Sequence, residues 1–581
     1  MCGIVGYLGQ EIPATNLVNI LKKLEYRGYD SSGIAGFNKN RFKVIKKTGQ
    51  IQNLEKELPK TWQIELGIAH TRWATHGVPS EENAHPHVSS DGKFAIVHNG
   101  IIENAEFLRK KYSIKTQGET DTEVLVDFLA KKHPKTLEEF VKAFHEVEGS
   151  YAIICQNTKE KKLYLAKKAS PLYVAQDLNE NFLIASDPIC FFGFAKTCYC
   201  LEDGIFAEIK DGEICFYNQE CKQKKIDKIN IENCQVLCKE TAVESFMLKE
   251  IFDQPLALKR QLDNYRKNKV LDRFNKDFLK DFNKVILLGC GSAYHASIVG
   301  AKYFQQMLNV PAEAVVASEF VYNDMVFDEK TLFLLISQSG ETADTIKALN
   351  IIKEKNSFSI AVTNVVYSSL AQKAKAVIDI FAGPEIAVAS TKAYVCMLSA
   401  LYLLAMQIKG HVLRGYDEIE VVANKILDFD FDRIEGLAKT LKNENFVVML
   451  GKNFDYVTAL EASLKLKEIA YIYTMALPSG ELKHGYLALV ENGTQIINFA
   501  TQKDIMSKNI NSGLEAESRG GVVTLVSPWA ESSQIKLNEV NYFLMPIVSI
   551  VPMQYLAYRV SVLKNLSPDK PRNLAKSVTV E

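Results

Sequence analysis

The sequence predicts an α+β layered domain followed by two α/β domains, each a parallel sheet flanked by helices. Three observations carry that prediction. The chain has 581 residues, enough for roughly three or four domains of ordinary size. Residues 2–218 are rich in short β-type runs with only two clear helical patterns among them. From residue 284 strand-like and helical runs alternate, and the alternation starts again near residue 446.

In the first domain, 2–218, the expected strands are 3–8, 34–37, 66–69, 94–98, 150–155, 163–167, 182–186 and 205–210, with helices over 14–24 and 121–131. From 217 to 241 the chain turns polar and Lys-rich, the texture of a linker, and 246–283 looks like amphipathic helix, so 219–283 reads as a connecting segment. The second domain, 284–424, sets strands at 285–288, 332–336, 359–362 and 377–381 between helices at 294–308, 343–354, 369–374 and 391–409. The third, 444–566, opens with 446–450, which like 285–288 leads into Gly, a polar loop and a long helix. It continues through strand-like runs at 495–499, 522–526 and 542–545. Residues 567–581 remain as a C-terminal tail.

Composition excludes several classes. Lys+Arg and Asp+Glu both number 69, so no field favours nucleic acid or an anionic membrane as partner. With 47% hydrophobic residues and no net charge, disorder is excluded as the main state. The N-terminus lacks the basic and apolar regions of a secretory signal. The apolar run 394–408 is too short to span a bilayer, and 542–563 is interrupted by Pro546, Pro552, Gln554 and Arg559. A soluble, cytoplasmic protein with reduced thiols is expected. Seven of the 11 cysteines lie between Cys190 and Cys238, with no C-x-x-C pair and no His among them, which favours scattered thiols over zinc. Five of the 10 histidines fall in one stretch, His70, His76, His85, His87 and His98, but the loop-like His85-Pro86-His87 is a weak metal pattern, and no metal is expected.

Cys2 stands apart by position. Removal of Met1 would leave it with a free α-amine, so one residue could supply both nucleophile and general base. On position alone, a buried structural Cys is the plainer reading. Other segments shift the balance. Residues 69–77 put Arg72, suited to bidentate carboxylate binding, beside Trp73, Thr75 and His76. Asn99 and Gly100 follow a strand, where an amide and a backbone N–H could face an oxyanion. Residues 118–123 place Asp121 at a helix start, where Thr120 also fits an N-cap.

In the second domain, residues 337–345 (Ser-Gln-Ser-Gly-Glu-Thr-Ala-Asp-Thr) supply hydroxyls and a Gly at a strand-to-helix turn, suited to a phosphate held by N–H groups and the helix dipole. The loop has no Lys, which argues against a nucleoside triphosphate. Residues 289–292 form a similar turn but fail the dinucleotide pattern. In the third domain Glu461, Lys465 and Glu468 share one helix face at i, i+4, i+7. Such a face is often solvated, yet the rest of this helix is apolar nearly all round, which favours burial and function. His484 follows in a loop, 478–485.

The first set of motifs, with 26–33, resembles the glutaminase domain of class II (N-terminal-nucleophile, Ntn) amidotransferases over about 200 residues. The resemblance implies an αββα Ntn-hydrolase sandwich with Cys2 as nucleophile and base and Asn99 and Gly100 as oxyanion hole. It implies Arg72 on the substrate α-carboxylate, Asp121 on the α-amine, Thr75 and His76 nearby, Arg27 in a shielding loop and Trp73 gating an ammonia channel. The two α/β units resemble paired sugar isomerase (SIS) domains. Taken together, nearly the whole chain is similar to the isomerizing glutamine–fructose-6-phosphate aminotransferases. The matches include 389–393, 464–468, 479–485 and the tail 571–581.

That resemblance implies conversion of fructose 6-phosphate and glutamine to glucosamine 6-phosphate and glutamate, the first step of hexosamine synthesis. Glu468 would move the proton from C1 to C2, and His484, reaching in from a neighbouring subunit, would open the ring. Lys576 would form a Schiff base, and Lys465 and Glu461 would handle hydroxyl protons. Ser337, Gln338, Ser339 and Thr342 would hold the phosphate, with Ser292, Val388 and Ser390 along the sugar. It implies a homodimer and no cofactor. The sequence departs from the family pattern at Ala293, at Tyr486, along 227–245 and at Ser245, where a His is usual. A phosphoribosyl or asparagine-forming amidotransferase would need an acidic ribose-phosphate loop or a Ser-Gly-Gly adenylate loop, and neither is present. A non-catalytic sugar-phosphate sensor would have no use for Cys2.

Overall fold

The computed structural model describes residues 2–39, 41–73, 77–231 and 244–579. The chain divides into two units, residues 1–239 with 575–581, and residues 240–574.

In the first unit the strand Gly3–Pro13 is the centre of an eight-stranded antiparallel sheet. On one side it pairs with Gln63–Arg72, followed by Ser31–Asn38 and Arg41–Thr48. On the other come Phe182–Ala185, Tyr173–Gln176, Thr197–Cys200 and Lys228–Asn230. A second antiparallel sheet has seven strands, ordered Gln223–Lys224, Glu213–Tyr217, Ile205–Lys210, Lys162–Lys168, Gly149–Asn157, Phe94–Ile102 and His87–Val88. The two-residue period of its strands assigns their faces. Ile96, Tyr151, Ile153 and Tyr164 pack with Leu108, Val124, Phe128 and Phe140 of the helices Ala105–Lys111, Asp121–Lys132 and Leu137–Phe144. The alternate residues Ala95, Val97, Ala152, Ile154 and Leu165 share a core with Ile4, Leu8, Ala35 and Leu66 of the first sheet.

The second unit holds two parallel five-stranded sheets of one topology. The first runs Ala312–Val316, Lys284–Gly289, Thr331–Ser337, Phe358–Thr363, Ala376–Asp379. The second runs Tyr473–Pro478, Phe446–Gly451, Gln495–Phe499, Val522–Ser527, Ile535–Lys536. In each, the first strand in sequence sits between the second and the third, which creates a switch point at its C-terminal end, where open α/β sheets bind ligands. One core joins the helices Lys392–Lys409, Phe454–Lys465 and Met545–Leu563 with inward residues of both sheets.

Three expectations are corrected. The Lys-rich stretch after 217 is not all linker, because Gln223–Lys224 and Lys228–Asn230 add edge strands to the two sheets of the first unit. Residues 542–545 are not a strand but lead into the helix Met545–Leu563. Pro546 sits in its first turn, where the missing N–H is harmless, and Pro552 is accommodated in its interior. Third, the segment Tyr542–Leu563 is, among the described residues, long and apolar enough to cross a membrane, but it is mostly buried inside the protein.

Candidate functional site

Cys2 precedes the central strand of the first sheet, with its thiol against the end of Gln63–Arg72. The Trp73 N–H donates to Cys2 Sγ at 3.2 Å, and Sγ lies 3.5 Å from Trp73 O. Burial pushes the thiol up, while the Trp73 N–H and the Arg72 guanidinium pull the other way. Asn99, near the end of Phe94–Ile102, donates from Nδ2 to Cys2 O at 2.8 Å. Gly100 follows with φ +133, and a Cβ there would stand 2.0 Å from Ser150 O, so this close strand pairing requires glycine. Cys2, Asn99 and Gly100 are thus gathered at one place.

Arg72 is buried, and its guanidinium donates to Gly77 O at 3.2 Å and Val78 O at 3.5 Å. Burial lowers its pKa against the pull of Cys2, Asp30, Asp121 and Glu119. Asp121 opens the helix Asp121–Lys132, and its Oδ2 accepts the Ile102 N–H at 2.7 Å, fixing the chain beyond Gly100. Thr120 is the N-cap, accepting from the Glu123 N–H at 3.3 Å. Arg27 is buried in an ion pair with Asp187, donating also to Tyr26 Oη at 3.1 Å and Ser186 O at 3.3 Å. Trp73 packs edge-on against Tyr29, ring centres 5.5 Å apart. Thr75 and His76 lie outside the described residues.

The second unit places its polar residues at the switch point of its first sheet. The loop after Thr331–Ser337 is tied internally. The Gly340 N–H donates to Ser337 Oγ at 3.0 Å, Ser337 Oγ and Thr342 Oγ1 lie 2.9 Å apart, and the Glu341 N–H donates to Ser339 Oγ at 3.2 Å. Gln338 contributes its carbonyl, which accepts from the Asn364 N–H at 3.2 Å. Thr342 holds the N-cap position of Ala343–Glu354, but its side chain does not cap the helix.

Ser292, at the neighbouring strand end, donates to Glu461 Oε1 at 2.8 Å and accepts from Lys465 Nζ at 3.2 Å. Lys465 also meets Glu468 Oε2 at 2.7 Å and Glu461 Oε1 at 3.3 Å. Neither Glu461 nor Lys465 is exposed, so this face is buried rather than solvated. Burial alone would raise the Glu461 carboxyl, but Lys465 and hydrogen bonds from His295 and Ser292 outweigh it and hold it at about 2. For Lys465, burial is outweighed by Glu461 and Glu468, so its pKa rises. Glu468 lies in a π-helical turn, Leu466–Ala470, an irregularity common at functional sites. The second sheet's switch point is filled by the chain itself: buried Asp455 accepts from the Thr501 N–H at 3.0 Å and Asn509 Nδ2 at 2.9 Å.

Val388 and Ser390 have partners of their own. The Val388 N–H donates to Asp569 O at 3.1 Å, and Ser390 Oγ to Glu385 Oε2 at 3.2 Å. His484 is exposed in its loop. The tail is divided: residues to 574 belong to the second unit, whereas half-buried Lys576 belongs to the first.

Two participants were not legible. His295 Nδ1 lies 2.7 Å from Glu461 Oε2; its spacing of three from Ser292 on one helix was the available signal. Asp569 accepts from Ser245 Oγ at 2.8 Å, the Met247 N–H at 2.7 Å and the Phe246 N–H at 2.9 Å, and Ser245 caps the helix Phe246–Phe252, which gives the unexpected Ser245 a local role. Among the described residues, no group of three or more His, Cys, Asp or Glu could hold a metal ion.

A family model described as a glutamine amidotransferase domain matches residues 70–192, and one described as an SIS domain matches 278–407. Fold and motifs together define an amidotransferase joined to a sugar-isomerase module. Over its full length the chain is 41% identical to the glutamine–fructose-6-phosphate aminotransferase (isomerizing) of Clostridium perfringens and 41% identical to that of Caldanaerobacter subterraneus, with 100% of each chain covered. The C-terminal domain of glucosamine-fructose-6-phosphate aminotransferase from Francisella tularensis matches with TM-score 0.52 and 30% identity, over 57% of this chain and 99% of that one. The chain belongs to the family of isomerizing glutamine–fructose-6-phosphate aminotransferases.

Proposed function

We propose that this chain converts D-fructose 6-phosphate and L-glutamine to D-glucosamine 6-phosphate and L-glutamate. The observation that carries this is the full-length relationship to proteins of that name, with Cys2, Asn99, Glu461, Lys465 and Glu468 all present and arranged in two polar sites.

In the first unit, whose sheets and helices form an αββα Ntn-type sandwich, Cys2 attacks the glutamine side-chain amide. Asn99 and Gly100 stabilise the oxyanion, and ammonia leaves as the C–N bond breaks. Water then releases glutamate from the thioester. Arg72, Asp121, Thr75 and His76 hold glutamine, Arg27 shields the site, and ammonia passes Trp73 through an internal channel. In the second unit Ser337, Gln338, Ser339 and Thr342 hold the sugar phosphate at a helix N-terminus, and Ser292, Val388 and Ser390 line the sugar. His484 of a second subunit assists ring opening, so the working form is a homodimer. Lys576 forms a Schiff base at C2, ammonia displaces it, and Glu468 carries the proton from C1 to C2 with Lys465 and Glu461 serving hydroxyl protons. The functional division is 2–218, 219–283, 284–424, 444–566 and 567–581, in the cytoplasm, without a cofactor.

Glucosamine 6-phosphate formed from the two substrates tests the reaction, and its absence refutes it. Cys2→Ala is expected to abolish glutamine hydrolysis while retaining slow synthesis from added ammonia. Lys576→Ala is expected to abolish synthesis and leave glutamine hydrolysis.

A further inference from the structure

Buried histidines surround the glutaminase site, and one makes a contact the reaction scheme does not use. His70 lies in the strand Gln63–Arg72, paired with Ile4 on one side and Gly33 on the other, and has no solvent exposure. Its Nε2 lies 3.1 Å from Asn99 Oδ1 and 3.1 Å from His98 O. Both partners are oxygens that can only accept, so Nε2 must carry the hydrogen and Nδ1 a lone pair. Burial drives the imidazole pKa down to about 3, which keeps the ring neutral and preserves that tautomer.

An asparagine amide has a donor end and an acceptor end. With Oδ1 committed to His70, the NH₂ end faces Cys2, and Nδ2 donates to Cys2 O at 2.8 Å. The reversed amide would set NH₂ against the Nε2–H and Oδ1 against the Cys2 carbonyl, giving two repulsive contacts and no bond. Asn99 could not then present a donor beside the nucleophile. We infer that His70 is a positioning residue for glutamine hydrolysis, its Nε2–H locking the Asn99 amide with the donor end toward Cys2. The inference rests on the amidotransferase function proposed above and adds to it the group that orients the oxyanion donor.

The test uses the full chain with His70→Met, which removes the donor, and His70→Gln, whose amide can extend an N–H to the same acceptor. His70→Met is expected to lower the kcat of glutamine hydrolysis by about 10²–10³-fold, the usual loss of one oxyanion donor. The glutamine KM and the rate of Cys2 alkylation by iodoacetamide should stay within about threefold, because binding and the thiol are untouched. His70→Gln should recover at least about tenfold of the lost kcat. Near-normal kcat in folded His70→Met overturns the inference, as does a parallel loss of kcat and alkylation, or a Gln variant no better than Met. Selectively ¹⁵N-histidine-labelled wild-type protein gives a readout independent of variant folding. His70 must show the Nε2–H tautomer between about pH 8 and pH 5, and the Nδ1–H tautomer overturns the inference. Failure of the wild type to hydrolyse glutamine at all overturns the amidotransferase function itself and is read before any variant is compared.

Discussion

Lys465→Met is the most informative perturbation of the proposed sugar site. The ammonium has no solvent exposure and sits 2.7 Å from Glu468, 3.3 Å from Glu461 and 3.2 Å from Ser292 Oγ. Met keeps most of the volume but leaves two carboxylates without the cation between them, at a cost of about 3–5 kcal/mol. The pH dependence gives the loss a signature. In the wild type Glu461 is held at about 2 rather than its ordinary 4.5. Its ionised form therefore contributes about 3 kcal/mol, present above about pH 4.5 and lost as pH falls through about 2. In the variant burial is opposed only by His295 and Ser292; without Lys465 the carboxyl is expected to rise above its ordinary value, and the sign then reverses: stability tied to Glu461 is present at low pH and lost as pH rises. The gap between the two proteins should be widest near about pH 8 and narrower near about pH 5. Urea unfolding of the full chain measures it, and amide exchange along Phe454–Lys465 localises it. A gap below about 1 kcal/mol at the higher pH, or equal gaps at both, would refute the buried-cation account. Adding Glu461→Gln to Lys465→Met should restore more than half of the lost stability, because the fully buried uncompensated charge is then gone and Glu468, which remains, is partly exposed.

Two further outcomes follow from the geometry. His70, His85, His87 and His98 are all buried, and burial lowers the pKa of each, to about 3 for His70. A lowered histidine stabilises above its unfolded value of 6.5 and loses that contribution as pH falls, so His70 alone should cost about 2 kcal/mol between pH 6.5 and about pH 5; a thermal midpoint of the first unit that stays flat over this interval argues against neutral buried imidazoles. Gly340 has φ +64, and a Cβ there would stand 1.9 Å from Ser368 Oγ. Gly340→Ala should destabilise by about 1–2 kcal/mol and raise the fructose 6-phosphate KM about tenfold or more while leaving glutamine hydrolysis intact; an unchanged KM would remove the 337–342 loop from phosphate binding.

What could be read from the sequence follows from where each signal resides. Phe94–Ile102 and Gly149–Asn157 are buried on both faces and, like the buried parallel run Thr331–Ser337, were legible as short apolar runs bounded by polar turns. Edge strands are short and polar, which is why Lys228–Asn230 read as linker: its pairing with Thr197–Cys200 supplies backbone bonds that demand no apolar pattern. Met545–Leu563 was disguised by prolines that burial tolerates. Motif residues could be named because their chemistry is local, Cys2 by its position and Glu461, Lys465 and Glu468 by one helical face. Their partners could not. His295 meets Glu461 across 166 positions of sequence, and His70 meets Asn99 across 29. In both cases a histidine gains its role from a better-known neighbour: His295 by its contact with the buried Glu461 carboxylate, His70 by the end of the Asn99 amide it engages. Such a residue has no signature of its own in a single sequence, because the physical requirement is placed on the pair, and only the fold states which pair it is.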